Sequence, residues 1–355
     1  MSLTNPFVPT YGATPPLLAG RNRVITRFES ALQHGPTHPD YTLLLTGRQG
    51  YGKTVLLNSV EAIARDNGWS VVSLSASSGR FRSELLSGVG GSVAERQPSP
   101  PASIPPLIRT VLTAAADHMA EQGAGLLVTV DELQAVDPME MREFANAIQH
   151  ITRRELRPLA FVGAALPEVE DTLLADPGMT FFQRCARAPL SALSKDDTHL
   201  AIEYPIRNSG GHIDADALAA AVEHTAGFPF MVQLVGFHSW DICVDPAAGI
   251  ALKDVEAGVV ESLEVLVEQI IQPLWKALSP VDKAFLFAMA QDDTVSHIAD
   301  IADRLGRDGN YVNYYRARLI QTGVVVPEGR GRLCFAHPVM RTWLLHPSRR
   351  DYPHP

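Results

Sequence analysis

The sequence predicts an α/β protein with a doubly wound parallel sheet, followed by an all-helical segment and a small C-terminal domain of helices and a hairpin. Three observations predict it. Short apolar runs at 41–46, 69–74, 125–130 and 158–163 alternate with segments whose apolar residues recur at helical spacing, the pattern of parallel strands joined by crossover helices. From Ser194 the strand-like runs stop, and helical spacing alone continues to about residue 277. At Leu278-Ser279-Pro280 a proline ends one helix and opens the next. The boundaries this implies are 1–192, 193–278 and 279–350.

Composition narrows the class. The chain has 355 residues, 46% of them hydrophobic, which suits a globular protein with a sizeable core. Cys185, Cys243 and Cys334 are an odd, scattered set with no C-x-x-C pair, so neither a disulfide framework nor a zinc site is expected. No apolar run approaches the ~20 residues of a membrane span. The start of the chain has no basic stretch followed by an apolar core. A cytoplasmic protein is the expectation. Net charge is −9, yet 306–350 carries eight arginines against Asp308 and Glu328, so an acidic body precedes a basic tail.

The elements follow in order. A proline- and glycine-rich arm ends at Leu17-Leu18-Ala19-Gly20-Arg21 and precedes a helix carrying Val24, Ile25, Phe28 and Leu32. The arm suits either of two roles, an apolar wall for a ligand or a cover for the sheet edge. The first strand, 41–46, runs into Gly47-Arg48-Gln49-Gly50-Tyr51-Gly52-Lys53-Thr54, which fills every position of G-x-x-x-x-G-K-[ST]. Val55, Leu56, Leu57, Val60 and Ile63 then continue as a helix. Glycines in such a loop let backbone N–H groups turn inward on phosphates, and the helix N-terminus adds positive potential. Lys53 is thereby assigned to phosphate oxygens and Thr54 to Mg²⁺, with ATP or ADP as the ligand.

A second strand (69–74) and a helix through Phe81, Leu85 and Leu86 lead to a proline-rich loop at 97–106. A helix over 107–121 then feeds the strand Gly125–Val130, which ends in Asp131-Glu132. Carboxylates at the carboxyl end of a central parallel strand lie where open α/β sheets bind ligands. Asp131 is the expected metal ligand, and Glu132 the residue that polarises the attacking water. A fourth strand (158–163), a helix from Leu166-Pro167 to about 174, and a loop through Phe181 to Arg187 precede a short fifth strand.

Helices are expected at 194–206, 214–225, 229–243 and 252–277. The tail reads helix 281–290, helix 298–305, a turn at 306–310, helix 311–321, and strands around 323–326 and 332–335, the pattern of a winged helix-turn-helix. Asn313, Arg316 and Arg318 on its recognition helix, and Arg330 and Arg332 on its wing, are candidates for double-stranded DNA.

The order of these motifs resembles the AAA+ P-loop ATPases, most closely the origin-recognition-type branch with its STAND relatives. The resemblance implies that the segment around Leu17, Leu18 and Arg21 contacts adenine, and that Arg184 is an arginine finger reaching a neighbouring subunit, with Arg187 second. It implies an ATP-dependent homo-oligomer or a protein partner. Two departures stand out: Phe161-Val162-Gly163-Ala164-Ala165 puts no polar side chain at the end of the fourth strand, and Phe230-Met231 stands where the lid normally supplies an arginine. Tight binding with slow hydrolysis is the resulting expectation. STAND proteins suggest an alternative, a nucleotide switch for protein–protein signalling in which His337 reaches bound ADP.

Overall fold

The computed structural model describes residues 3–346 apart from 11, 77–79, 94–106, 168, 170–175 and 338. The expected loop at 97–106 and most of the helix expected up to about 174 lie outside the described residues. The chain divides into two compact units, one of residues 6–205 with 226–233, the other of 1–5, 206–225 and 234–355.

The first unit is built on five parallel strands: β1 (Thr42–Gly47), β2 (Ser70–Ser75), β3 (Leu126–Asp131), β4 (Leu159–Ala165) and β5 (Ala186–Leu190), in spatial order β2-β3-β4-β1-β5. Strands β1 and β4 are buried along their whole length, and β3 all but its last residue. That burial explains why they read as continuous apolar runs rather than alternating ones. Alternate residues of these strands serve two cores. On one face Phe28, Leu56 and Val60 from α1 (Asn22–His34) and α2 (Lys53–Asp66) pack on Leu43, Leu45, Leu127 and Val162. On the other, Phe81, Leu112 and Phe144 from α3 (Phe81–Val93), α4 (Ile108–Glu121) and α5 (Pro138–Gln149) pack on Val128 and Phe161. This is the doubly wound sheet the sequence predicts.

Phe181 and Phe182, expected in a loop, form part of a short helix, Thr180–Gln183, and join the second core. Phe161 meets the two rings at 5.7 and 6.0 Å between centroids. Burial beside them pushes the Cys185 thiol up to about 12, leaving it protonated and unsuited to nucleophilic work. A polar link crosses the other face. Thr129 Oγ1 donates to the buried Glu61 Oε1 at 2.5 Å, and Arg65 donates to Glu61 Oε2 at 3.0 Å. It ties α2 to β3 two residues before Asp131.

The expected helices of the middle segment are present as Lys195–Asn208, Ala215–Thr225, Pro229–Ile242 and Leu252–Leu266. The single helix expected over 252–277 is broken by a π-turn at Val267–Ile271 before it resumes as Gln272–Ala277. In the second unit, Ser279 caps the helix Pro280–Ala290 through a reciprocal box with Asp282, which fixes the break read at Ser279-Pro280. After it come β6 (Val295–His297), helices Ile298–Leu305 and Gly309–Gln321, then β7 (Val325–Pro327) and β8 (Arg332–Phe335). The three strands form an antiparallel sheet in the order β6-β8-β7, giving the topology of a winged helix-turn-helix. Strand β6 was not expected, because three residues reading Val-Ser-His are too short to show alternation.

Arg318, read from the sequence as a DNA-binding residue, is half-buried and pairs at 3.0 Å with Asp282, which is 0% exposed. The guanidinium is thus used to neutralise a buried carboxylate inside the domain. Arg318→Met is expected to destabilise the second unit by about 3 kcal/mol, since a buried charge loses its partner. An unchanged denaturation midpoint would contradict this.

Candidate functional site

The glycine loop leaves β1 at Gly47 and enters α2 at Lys53. Gly50 and Gly52 sit at φ +79° and +87°, left-handed conformations that strain other residues. Gly50 is also sterically confined, since a Cβ there would lie 2.5 Å from the Phe228 ring. Lys53 is 5% exposed, and its Nζ donates to the carbonyls of Gly47 at 2.9 Å and Arg48 at 3.3 Å. The ammonium is held across the mouth of the loop by the loop itself.

Register brings the acidic strand end to the same place. Val130 and Leu44 both align with Gly163 of β4, so β3 and β1 end on either side of it. Thr54 Oγ1 donates to Asp131 Oδ2 at 2.6 Å, and Asp131 Oδ1 accepts the Glu132 N–H at 2.9 Å. Glu132 itself adopts φ +56°, a left-handed conformation sparsely populated by non-glycine residues and concentrated at functional sites. The next turn, Leu133–Ala135, is anchored by buried Leu133, seated against Gly163, where any side chain would collide with Leu133 Cδ1. Gln134 Nε2 donates to Glu132 Oε2, while its Oε1 accepts the Leu166 N–H at 3.2 Å. Gln134 was not picked out from the sequence, since a glutamine in a polar turn carries no motif.

The described residues contain no group of three His, Cys, Asp or Glu side chains arranged to hold a metal. Thr54 Oγ1 and Asp131 Oδ2 form instead an adjacent pair of hard oxygen donors beside the phosphate loop. That donor set fits Mg²⁺, which favours one or two protein ligands with phosphates and waters completing its octahedron.

A cleft open to solvent runs from this centre. Gly50, Gly52, Lys53, Thr54 and Glu132 line it, with Tyr51 and Val55. Leu17, Leu18, Val8, Pro9, Phe230 and Val232 give it apolar lining. The N-terminal arm contributes Leu17 and Leu18 to this lining. Asn58 Nδ2 donates to the Gly12 carbonyl at 2.9 Å, which draws the arm over α2. Gly47, Arg48 and Gln49 shape the loop but do not line the cleft. Arg21 lines it and also donates to the Ser191 carbonyl at 2.8 Å and the Tyr51 carbonyl at 3.4 Å. Burial lowers its affinity for a proton, and the charge of Asp197 partly offsets this. The sequence pattern does not reveal Val8, Pro9 and Phe230, because packing between distant segments leaves no local periodicity.

Arg184 is exposed on the turn before β5 and is not among the residues lining the cleft. Arg187, on β5, is exposed as well. In the second unit Asn313, Arg330 and Arg332 are exposed, whereas Arg316 is half-buried. Tyr314 is 66% exposed beside Tyr315, which also meets Tyr311 at 4.9 Å between ring centroids. His337 is buried in this unit, its carbonyl accepting the Met340 N–H at 2.9 Å. No described helix is long and apolar enough to cross a membrane.

Comparison with known proteins agrees with this geometry. Residues 37–173 match the family described as an AAA domain, and residues 268–344 match one described as a domain of unknown function, DUF8462. The replication factor C large subunit of Methanopyrus kandleri is 33% identical over 122 residues, which are 34% of this chain and 22% of that protein. The chain therefore spans about a fifth of the length of that relative. A Walker-type ATPase of Pyrococcus abyssi matches with a TM-score of 0.69 and 17% identity, over 92% of this chain and 96% of that one. The Aeropyrum pernix ORC2 protein, solved as ADPNP–ADP complexes, matches with a TM-score of 0.65 and 15% identity, over 95% and 94% of the two chains. Residues 37–173 thus match an AAA domain, and the chain shares its fold with the Walker-type ATPase and the ORC2 protein.

Proposed function

From that AAA domain, we propose that the protein binds ATP with Mg²⁺ in the cleft, hydrolyses it slowly, and engages double-stranded DNA through the winged helix. One observation carries the nucleotide half. A single cleft is lined both by a glycine loop with Lys53 and Thr54, the last bonded to Asp131, and by apolar side chains. A triphosphate tail and a planar base have the chemistries those two kinds of lining accept.

In this reading the amides of 47–54 hold the phosphates, and the Lys53 ammonium exchanges a loop carbonyl for phosphate oxygen. Leu17, Leu18 and Phe230 enclose the base. Thr54 and Asp131 hold Mg²⁺, which when bound neutralises charge on the phosphate oxygens. Glu132 orients a water for in-line attack on the γ-phosphorus; as the new P–O bond forms, the bond to the bridging oxygen breaks, ADP leaves, and the water's proton passes to the inorganic phosphate after phosphoryl transfer. Phe230 and Met231 bring no cation to the γ-phosphate, so turnover stays below about one per second for the isolated chain, the low end of ordinary enzymes. Arg184, exposed and away from its own cleft, is available to a neighbouring subunit, where a finger arginine adds transition-state stabilisation. The working domain division remains 1–192 for the nucleotide, 193–278 for a lid and 279–350 for the winged helix, in an intracellular protein.

The DNA half rests on the exposed basic wing and on the replication proteins the chain resembles. Asn313, Arg330 and Arg332 are the residues that would touch the duplex, with the half-buried Arg316 and Arg318 alongside. Removing both wing arginines is expected to reduce the salt slope of duplex binding by about two, one for each phosphate that an arginine no longer neutralises. Size exclusion with duplex DNA and a non-hydrolysable ATP analogue tests the whole reading. Nucleotide-dependent assembly on DNA supports it. A monomer that ignores DNA in both nucleotide states sinks the DNA half.

A further inference from the structure

We propose that Gln134 is the positioning residue that aims Glu132 at the attacking water. The inference rests on the hydrolysis reading above and adds a residue that the motifs do not contain.

Glu132 has a fixed backbone but a long side chain. Its left-handed conformation, the bond from the Ala135 N–H to its carbonyl at 2.8 Å and the seating of Leu133 against Gly163 hold the main chain in place. None of these fixes the carboxylate. Gln134 does, because both ends of its amide are engaged. Its Oε1 accepts the Leu166 N–H at 3.2 Å, at the end of β4, where Gly163, Ala164 and Ala165 offer no side-chain donor of their own. A backbone N–H only donates, so the carbonyl oxygen of the amide must face it. The NH₂ group is therefore turned toward Glu132, where it donates to Oε2.

One carboxylate oxygen is thereby occupied, and Oε1 is left to accept from a water. Gly163 ties the two features together. The small residue that admits Leu133 cannot supply a polar group to the site, and the same Leu133 places Gln134 where it can. Gln134 is exposed, so its hydrogen bonds are no requirement of the core, and its replacement leaves the fold intact.

The test uses the full-length chain and three variants, Gln134→Ala, Gln134→Glu and Glu132→Gln, with steady-state ATP turnover and calorimetric MgATP affinity as readouts. Gln134→Ala is expected to lower kcat about 10- to 100-fold with nucleotide affinity unchanged, the signature of lost orientation. Gln134→Glu places a second carboxylate against Glu132, with Asp131 next in line. Near neutral pH it is expected to be slower still. Wild-type turnover that is lost in Glu132→Gln but unaltered in both Gln134 variants would overturn this inference alone. Faster turnover in Gln134→Ala would also overturn it, by showing that the hydrogen bond restrains Glu132. If the wild type has no turnover sensitive to Glu132→Gln, both this inference and the hydrolysis reading fail.

Discussion

Lys53→Ala is expected to weaken MgATP binding by roughly 100- to 1,000-fold. The Lys53 ammonium is buried and already poised over the loop on the carbonyls of Gly47 and Arg48. Phosphate oxygens arriving there gain charge-assisted hydrogen bonds worth about 1.5–3 kcal/mol each, and losing about 3–4 kcal/mol is two to three decades of affinity. Alanine also strips those two carbonyls of their donor, so the unliganded loop loses part of what shapes it. Calorimetry on the folded variant measures the change. An affinity within a few-fold of wild type would place the triphosphate elsewhere.

Glu132→Gln separates chemistry from binding. The amide keeps the shape of the carboxylate but loses the charge that polarises a water, and removing such a group costs about 10²–10⁴ in rate. The affinity for MgATP should hold, because Lys53, Thr54 and the loop amides are untouched. Turnover measured under single-turnover conditions, where product release does not intervene, is the decisive readout. A variant as fast as the wild type would mean that Glu132 is not the residue that acts on water. The chain would then be a nucleotide-binding scaffold.

Much of this site is legible in the order of residues along the chain, and the reasons are local. The loop 47–54 announces itself because phosphate binding needs glycines, a lysine and a hydroxyl at fixed offsets. Asp131 and Glu132 announce themselves because they follow a buried, largely apolar run, 126–130, at a strand's carboxyl end. The sheet is readable for the same reason, since strands buried on both faces cannot hide their composition. What escapes depends on packing across the fold. Phe181 and Phe182 sit in a stretch that reads as a loop, and only packing against Phe161 makes them core. Arg318 looks like its neighbours Arg316 and Arg330, and its pairing with Asp282, far upstream in the chain, is invisible in the local pattern. The glycine at 163 first reads as a missing polar group. Its meaning emerges once Leu133 is seen against it and Gln134 beside Glu132.

The central claim is that a nucleoside triphosphate and its magnesium ion occupy the cleft ahead of Lys53. The most direct test is calorimetric titration of ATP and MgCl₂ into the folded wild-type chain, with Lys53→Ala in parallel. The account predicts saturable heat at one nucleotide per chain for the wild type and its loss in the variant. Flat titrations for both, in protein shown to be folded, would contradict it.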